Sequence, residues 1–160
     1  MRKIDQLLEE YGESHQNPTN KFIHWICVPL IFFSIVGLFW AIPNDMLTNL
    51  FPNVTSPYLN WATVGLLITL FYYFSLSPGL FFGMAVVVMV FLMLTNFLAS
   101  LQLAPIWAIS LGIFVVAWIG QFYGHKVEGK KPSFLKDVQF LMIGPAWLMH
   151  FIYKKAGIPY

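Results

Sequence analysis

The sequence predicts an all-α integral membrane protein with four transmembrane helices, an N-terminal amphipathic helix and a C-terminal re-entrant or interfacial helical segment. Of its 160 residues, 58% are hydrophobic and 10% are charged, whereas soluble domains carry about 25% charged residues. Four apolar segments each approach the ~20 residues that cross the hydrocarbon core of a bilayer. No lysine or arginine lies between Phe22 and Gln121. Residues 1–160 are therefore predicted to form one membrane domain.

The four predicted spans cover residues 22–42, 59–76, 79–101 and 104–123. The second and third connections are so short that the helices on either side are expected to be antiparallel neighbours. Ahead of the spans, residues 3–13 predict a short helix whose single apolar stripe consists of Ile4, Leu7, Leu8 and Tyr11. This pattern is compatible with a helix on the membrane surface and with one that packs against the bundle.

A fifth apolar stretch, residues 138–153, is shorter than a span and contains the dipeptide Gly144-Pro145. With four spans, the basic residues before the first span and those after the fourth lie on the same side of the membrane. The positive-inside rule makes that side cytoplasmic. These basic residues are Arg2, Lys3, Lys21, Lys126, Lys130, Lys131 and Lys136. Lys154 and Lys155 would lie outside if the fifth stretch crossed. It is therefore interpreted as a re-entrant or interfacial segment kinked at Pro145, with both termini cytoplasmic; a true fifth span is the alternative.

The charge and cysteine content of the sequence indicate which kinds of binding partner and site to expect. A formal charge of +2 gives no indication of nucleic-acid binding, and the expected partner surface is the lipid bilayer. The single cysteine, Cys27, excludes an internal disulfide and a thiolate metal site.

The four histidines are all predicted near the cytoplasmic boundary, at His15, His24, His125 and His150. The positive-inside rule concerns lysine and arginine, so it does not account for this grouping. Imidazole is a ligand suited to iron, zinc or copper. The grouping therefore favours a shared metal site, for which Glu13, Glu128 and Asp137 are the nearby carboxylates.

A polar face is also predicted where the fourth span ends. If that helix continues far enough, Gln121, His125 and Glu128 share one of its faces. Polar and ionisable groups at the mouth of an apolar helix are costly, which points to a functional site.

Two motifs give a family resemblance. The segment HQNPTNKFIHWICVPL resembles the first signature of the membrane 2-hydroxy fatty acid dioxygenases, known from fungal phytosphingosine degradation, through His15, Pro18, Asn20, Lys21, His24, Pro29 and Leu30. The segment QFYGHKVEGKKPSFL resembles the second, through Gln121, Gly124, His125, Glu128 and Pro132. The segment GPAWL, which contains Gly144-Pro145, is similar to the family's C-terminal element. Cys27 stands where a glycine-like residue is expected, which puts local helix packing in question.

The resemblance implies an Fe(II)-dependent enzyme that uses O2 to shorten a 2-hydroxy fatty acid by one carbon, which leaves as CO2. It implies His15, His24 and His125 as metal ligands, and His150 is a further candidate. The substrate's 2-hydroxyl and carboxylate are expected to chelate the metal. Its acyl chain is expected between the helices, in a cavity lined by residues 71–74.

Three further residues are expected to support the site. Gln121 and Glu128 are candidates for orienting His125 through its second ring nitrogen, and a direct metal bond from Glu128 is equally compatible with the sequence. Asn20 is expected either to cap the first span or to bond a ligand histidine.

Two other classes of function remain open at this point. A haem-binding electron carrier would use His24 and His125 as axial ligands. A non-enzymatic membrane scaffold or transporter is the second, although the predicted spans carry almost no ionisable groups at their centres. The location is expected to be the inner membrane in a bacterium or the endoplasmic reticulum in a eukaryote.

Overall fold

The computed structural model describes residues 2–129 and 140–160, and these parts of the chain are helical, with no strand. Lys130, Lys131, Lys136, Asp137 and the first two residues of the fifth apolar stretch lie outside the described residues. Seven helices are described: α1 (Lys3–Glu13), α2 (Pro18–Trp40), α3 (Asp45–Leu50), α4 (Trp61–Leu76), α5 (Pro78–Ser100), α6 (Ile106–Glu128) and α7 (Ile143–Ala156). The predicted all-α class is confirmed.

Three of these helices are long and apolar enough to cross a membrane. α2, α5 and α6 each have 23 residues, which at ~1.5 Å per residue gives about 35 Å. α4 has 16 residues and is therefore about 24 Å long, less than a ~30 Å hydrocarbon core. Among the described residues, length and composition thus support three of the four predicted spans.

α1 packs against the bundle, which resolves the alternative left by the sequence. Ile4, Leu8 and Tyr11 of its apolar stripe are buried, and they join a core cluster with residues of α7. α7 begins at Ile143, so Pro145 lies in its first turn. A proline there needs no intrahelical N–H bond. The predicted kink at Pro145 was therefore wrong, because the proline lies where the helix starts.

The seam between α2 and α6 is the most extensive contact between two helices in the described part of the chain. A methyl group added at Gly120 would lie 2.6 Å from Cys27 Sγ, and one added at Gly124 would collide with Asn20 Oδ1. Glycines on α6 thus make room for larger side chains on α2. This explains how Cys27 fits where a smaller residue was expected: the small residue is Gly120 on the opposite helix.

α7 also holds the turn between α4 and α5. The hydroxyl of Tyr73 donates to Met142 O at 2.7 Å, and that of Tyr153 donates to Gly79 O at 2.8 Å. The α4–α5 turn therefore lies at the same end of the bundle as α1 and α7. The start of α2 and the end of α6 lie there too, as the α1–α2 loop bonds to Glu128.

Candidate metal centre

Three histidines from distant parts of the sequence meet at this end of the bundle. His15 lies in the loop between α1 and α2, His24 lies in α2, and His125 lies one turn before the end of α6. One ring nitrogen from each lies within 4.8 Å of the others. The residues are 2%, 1% and 5% exposed, respectively. The structure thus brings together the three histidines that the sequence motifs indicated.

Backbone carbonyls fix the tautomers of two of these rings. His15 Nδ1 donates to Tyr11 O at 2.6 Å, and His24 Nδ1 donates to Asn20 O at 3.0 Å. A carbonyl only accepts hydrogen bonds, so Nδ1 carries the hydrogen in both rings. In a neutral imidazole the lone pair then belongs to Nε2. A carbonyl behind the ring is the usual outer support of a ligating histidine.

The cluster fits a single transition-metal ion. Imidazole nitrogens bind such ions at about 2.1 Å, so two ligands of one ion lie at most about 4.2 Å apart. A separation of up to 4.8 Å requires only a small contraction. Three neutral nitrogen donors suit iron, zinc or copper, and they leave coordination positions for other molecules.

Glu128 holds the loop that carries His15. Its two carboxylate oxygens accept hydrogen bonds at 2.9 Å from Gln16 N, from Asn17 N and from Asn20 Nδ2. Within the described residues, the group with metal-binding geometry consists of the three histidines and does not include Glu128. This geometry favours a supporting role for Glu128.

Asn20 does not cap α2, contrary to one of the two expectations for it. The cap is Asn17, whose side chain accepts from Thr19 N and Asn20 N, and Pro18 occupies the first position of the helix. Asn20 is 0% exposed. Its carbonyl holds His24, and its amide binds Glu128. The expectation that it bonds a candidate ligand histidine is thus met through the backbone.

Gln121 lies beside the cluster, in the wall of a small cavity. The cavity has a volume of about 20 Å³ and is also lined by His24, Trp118 and Leu141. A volume of about 15 Å³ is enough for one water molecule, so the space suits one very small molecule. Gln121 is 8% exposed, and its Oε1 accepts no hydrogen bond from the described residues. The side chain therefore offers a buried acceptor next to the histidines.

The structure places two other sets of predicted site residues away from the three histidines. His150 is not part of the three-histidine group in the described chain; its Nδ1 is hydrogen-bonded to the hydroxyl of Tyr160. Residues 71–74 line none of the cavities described for this part of the chain. Phe71 and Phe74 are 73% and 53% exposed, whereas Tyr73 is buried against the segment before α7.

Two aromatic residues of the site were missed by sequence reasoning. The Tyr11 ring stacks on His15 with centroids 4.2 Å apart, and Trp147 lies 5.4 Å from the same histidine. A sequence signal for Tyr11 was available. Tyr11 precedes His15 by four residues, as Asn20 precedes His24, and in a helical turn this spacing brings the carbonyl of the first residue close to the side chain of the second. Trp147 comes from α7, and no local pattern links it to His15.

The fold and the cluster define a class of helical membrane protein with a buried group of three histidines. A family model described as 2-hydroxy-palmitic acid dioxygenase Mpo1-like matches residues 1–156, and the chain belongs to this Mpo1-like family. It is similar to the 2-hydroxy-palmitic acid dioxygenase MPO1 of Saccharomyces cerevisiae, with 30% identity over 154 residues that cover 93% of this chain and 79% of the yeast protein. No solved structure matches the chain significantly.

Proposed function

We propose that this protein is an Fe(II)-dependent dioxygenase that oxidatively decarboxylates 2-hydroxy fatty acids to the fatty acid one carbon shorter. The observation that carries the proposal is the buried cluster of His15, His24 and His125 in a chain of the Mpo1-like family. The name of the yeast relative, a 2-hydroxy-palmitic acid dioxygenase, supports the substrate class.

The proposed reaction is balanced without a further reductant. A 2-hydroxy acid and O2 give the shortened carboxylic acid, CO2 and water. The bond between the carboxyl carbon and the hydroxyl-bearing carbon breaks, and the hydroxyl-bearing carbon becomes the new carboxyl group. The substrate loses four electrons, and O2 takes up the same four.

His15, His24 and His125 would hold the iron through imidazole nitrogens. Bound Fe(II) would supply electron transfer to O2 and Lewis acidity toward the hydroxy acid. Gln121 is assigned to the substrate: the cavity beside it has room for a group the size of a hydroxyl, and its buried Oε1 accepts from the 2-hydroxyl. Glu128 and Asn20 hold the loop and the first turn of α2, so they act as positioning residues.

We propose four spans with both termini cytoplasmic. α4 is short for a span, but the α4–α5 turn bonds to the same layer that holds α1 and α7, so α4 and α5 run as an antiparallel pair. α2, α4, α5 and α6 then alternate in direction, and the basic residues of both ends share the cytoplasmic side. The metal centre lies at that side, in the inner membrane of a bacterium or the endoplasmic reticulum of a eukaryote.

The test is a direct assay of iron, oxygen and product. The protein is purified in detergent without oxygen and loaded with Fe(II), and 2-hydroxyhexadecanoic acid is added under air. Equal amounts of O2 consumed, CO2 released and pentadecanoic acid formed are expected, with loss of iron and turnover in His125→Ala but not in His150→Ala. A Soret band would instead indicate the haem carrier, and stoichiometric iron without turnover would contradict the proposed substrate.

A further inference from the structure

Two cavities of the bundle share Leu141 as a wall residue. The first is the small cavity beside His24 and Gln121. The second is an apolar groove of about 260 Å³ between α2 and α4, and Leu141 forms part of its wall as well. On α2, the wall passes from Val28 and Ile31 in the cavity to Phe32 in the groove. The small cavity at the histidine site and the deeper apolar groove are therefore neighbours, with Leu141 as the wall between them.

The distance along α2 from His24 to the groove matches the length of one acyl chain. At ~1.5 Å per residue, Phe32 lies about 12 Å along α2 from His24, and Phe39, at the far end of the groove, lies about 22 Å away. An acyl chain of a membrane lipid spans one leaflet, or roughly 15 Å. A chain whose head lies at His24 therefore ends inside the groove.

The groove is chemically suited to hydrocarbon. Its walls consist mainly of aliphatic and aromatic side chains, including Val36, Ala62 and Leu66. Thr69 contributes a hydroxyl, but that hydroxyl donates to Gly65 O within α4 at 2.9 Å. The groove therefore offers apolar contact and little hydrogen bonding.

We infer that this groove between α2 and α4 binds the alkyl tail of the substrate, and that Leu141 divides the tail from the head. The inference rests on the proposed function for the identity of the head group. Phe39 is 45% exposed, so the far end of the groove opens toward the bilayer, from which a fatty acid arrives. Gly65 lies opposite Phe39 in the wall of the groove, and a Cβ at Gly65 would lie 3.7 Å from the Phe39 ring.

A second apolar groove provides the control. It has a volume of about 200 Å³ between α2, α5 and α7, and its walls include Trp25, Val87 and Leu148. None of its lining residues also lines the small cavity beside His24. It does share Phe32 with the α2–α4 groove, so Val87, which lines the second groove and not the first, is the position that distinguishes the two.

The experiment fills one groove at a time. A Cβ at Gly65 makes only ordinary contact with Phe39, at 3.7 Å, so Gly65→Leu is expected to fold and to obstruct the α2–α4 groove. Val87→Phe adds the same number of carbon atoms in the other groove. Gly65→Leu is expected to lower kcat/KM for 2-hydroxyhexadecanoic acid about tenfold or more relative to 2-hydroxyoctanoic acid. Val87→Phe should leave that ratio unchanged, and both variants should keep their iron.

Equal losses for the two acids in Gly65→Leu, with iron retained, would overturn the inference. A second readout separates it from the proposed function. A 2-hydroxy fatty acid with a photoreactive group at its tail end should label α2 and α4 near Phe39 in the wild-type protein, whether or not turnover occurs. Labelling of α5 and α7 alone would overturn the groove assignment, whereas absence of turnover with any 2-hydroxy acid would overturn only the proposed function.

Discussion

Asn20 and Glu128 are joined across the bundle by a hydrogen bond of 2.9 Å from Asn20 Nδ2 to Glu128 Oε2. The bond connects the first turn of α2 to the last turn of α6. The same carboxylate binds the backbone N–H groups of Gln16 and Asn17, which directly follow His15. One side chain thus fixes the loop and both helices that carry the three histidines.

The first prediction concerns this carboxylate. Glu128→Gln replaces one of the two accepting oxygens with an amide nitrogen, so at least one N–H of the loop loses its acceptor. We expect the free energy of unfolding to fall by about 1–2 kcal/mol. We also expect the iron affinity to fall, although all three histidines are still present. Thermal unfolding and iron titration measure the two effects. The control is Glu9→Gln on the exposed side of α1, and an equal effect in both variants would contradict the positioning role.

The second prediction compares the iron content of variants that each lack one histidine. His15→Ala, His24→Ala and His125→Ala should each bind much less than one iron per chain, because each removes one of three clustered donors. His150→Ala should retain the wild-type amount, since His150 is bonded to Tyr160 instead. Elemental analysis of the purified variants gives the result directly. Loss of iron in His150→Ala with correct folding would show that the cluster is incomplete as described.

The third prediction concerns the α2–α6 seam. Gly120→Ala places a methyl group 2.6 Å from Cys27 Sγ, and we expect overpacking to cost about 1–3 kcal/mol in thermal unfolding. Cys27→Ala removes the opposing sulfur, so the double variant should regain most of that loss.

The matched control for the seam is Gly112→Ala. A methyl group at Gly112 meets nothing within 4 Å, and alanine is the better helix former by up to about 1 kcal/mol. This variant should be as stable as the wild-type protein or slightly more stable. Equal destabilisation by Gly112→Ala and Gly120→Ala would contradict a contact-specific seam.

The fourth prediction concerns Gln121 and the substrate. Gln121→Met keeps the length of the side chain but removes both hydrogen-bonding groups from the cavity beside His24. We expect normal iron content, a higher KM and a lower kcat for 2-hydroxy acids, because the head group loses its polar contacts. Steady-state kinetics and elemental analysis together test this, and loss of iron in the variant would instead assign Gln121 to the metal.

The fifth prediction is a pH dependence from α7. Burial, and next the positive charge of Lys154, lower the pKa of His150 from its ordinary value of 6.5, while Asp5 on α1 partly opposes them. The unfolded chain therefore takes up this proton at a higher pH than the folded chain. Neutral His150 therefore contributes fully to the stability of the folded protein above about pH 6.5, and this contribution is lost as the pH falls below that value.

The measurement for His150 compares melting temperatures at several pH values. His150→Gln cannot titrate but retains groups that bond to the hydroxyl of Tyr160. Its melting temperature should fall less than that of the wild-type protein as the pH drops below the ordinary histidine pKa. Parallel pH profiles would show that His150 titrates alike in the folded and unfolded states. The buried histidines are common to both proteins, so their contribution cancels in the comparison.

Patterns local in sequence predicted most of the fold. The predicted helix of residues 3–13 is α1. The fourth helix continues to Glu128, which was the condition for Gln121, His125 and Glu128 to share one face. The cap of α2 was also available from the sequence, because Asn17 precedes a proline at the first helical position. The family signatures identified the three histidines that the structure brings together.

Contacts between distant segments could not be predicted in the same way. Glu128 was placed near His125 by helical spacing, but its described bonds go to residues more than a hundred positions earlier. The aromatic run at residues 71–74 gave no information about which rings face lipid, because this depends on where α7 docks. Tyr73 is buried by its bond to Met142, and its neighbours Phe71 and Phe74 are exposed.

The order of the histidines along the chain has a consequence for biogenesis. His15 and His24 emerge early in synthesis, whereas His125 follows after roughly 100 further residues, so the site closes a very long loop. A translation intermediate that lacks α6 holds two of the three donors and has no seam against which to order them. The proposed metal centre can therefore be completed only after the last long helix has inserted, and a truncated or misinserted chain would lack one of the three histidines.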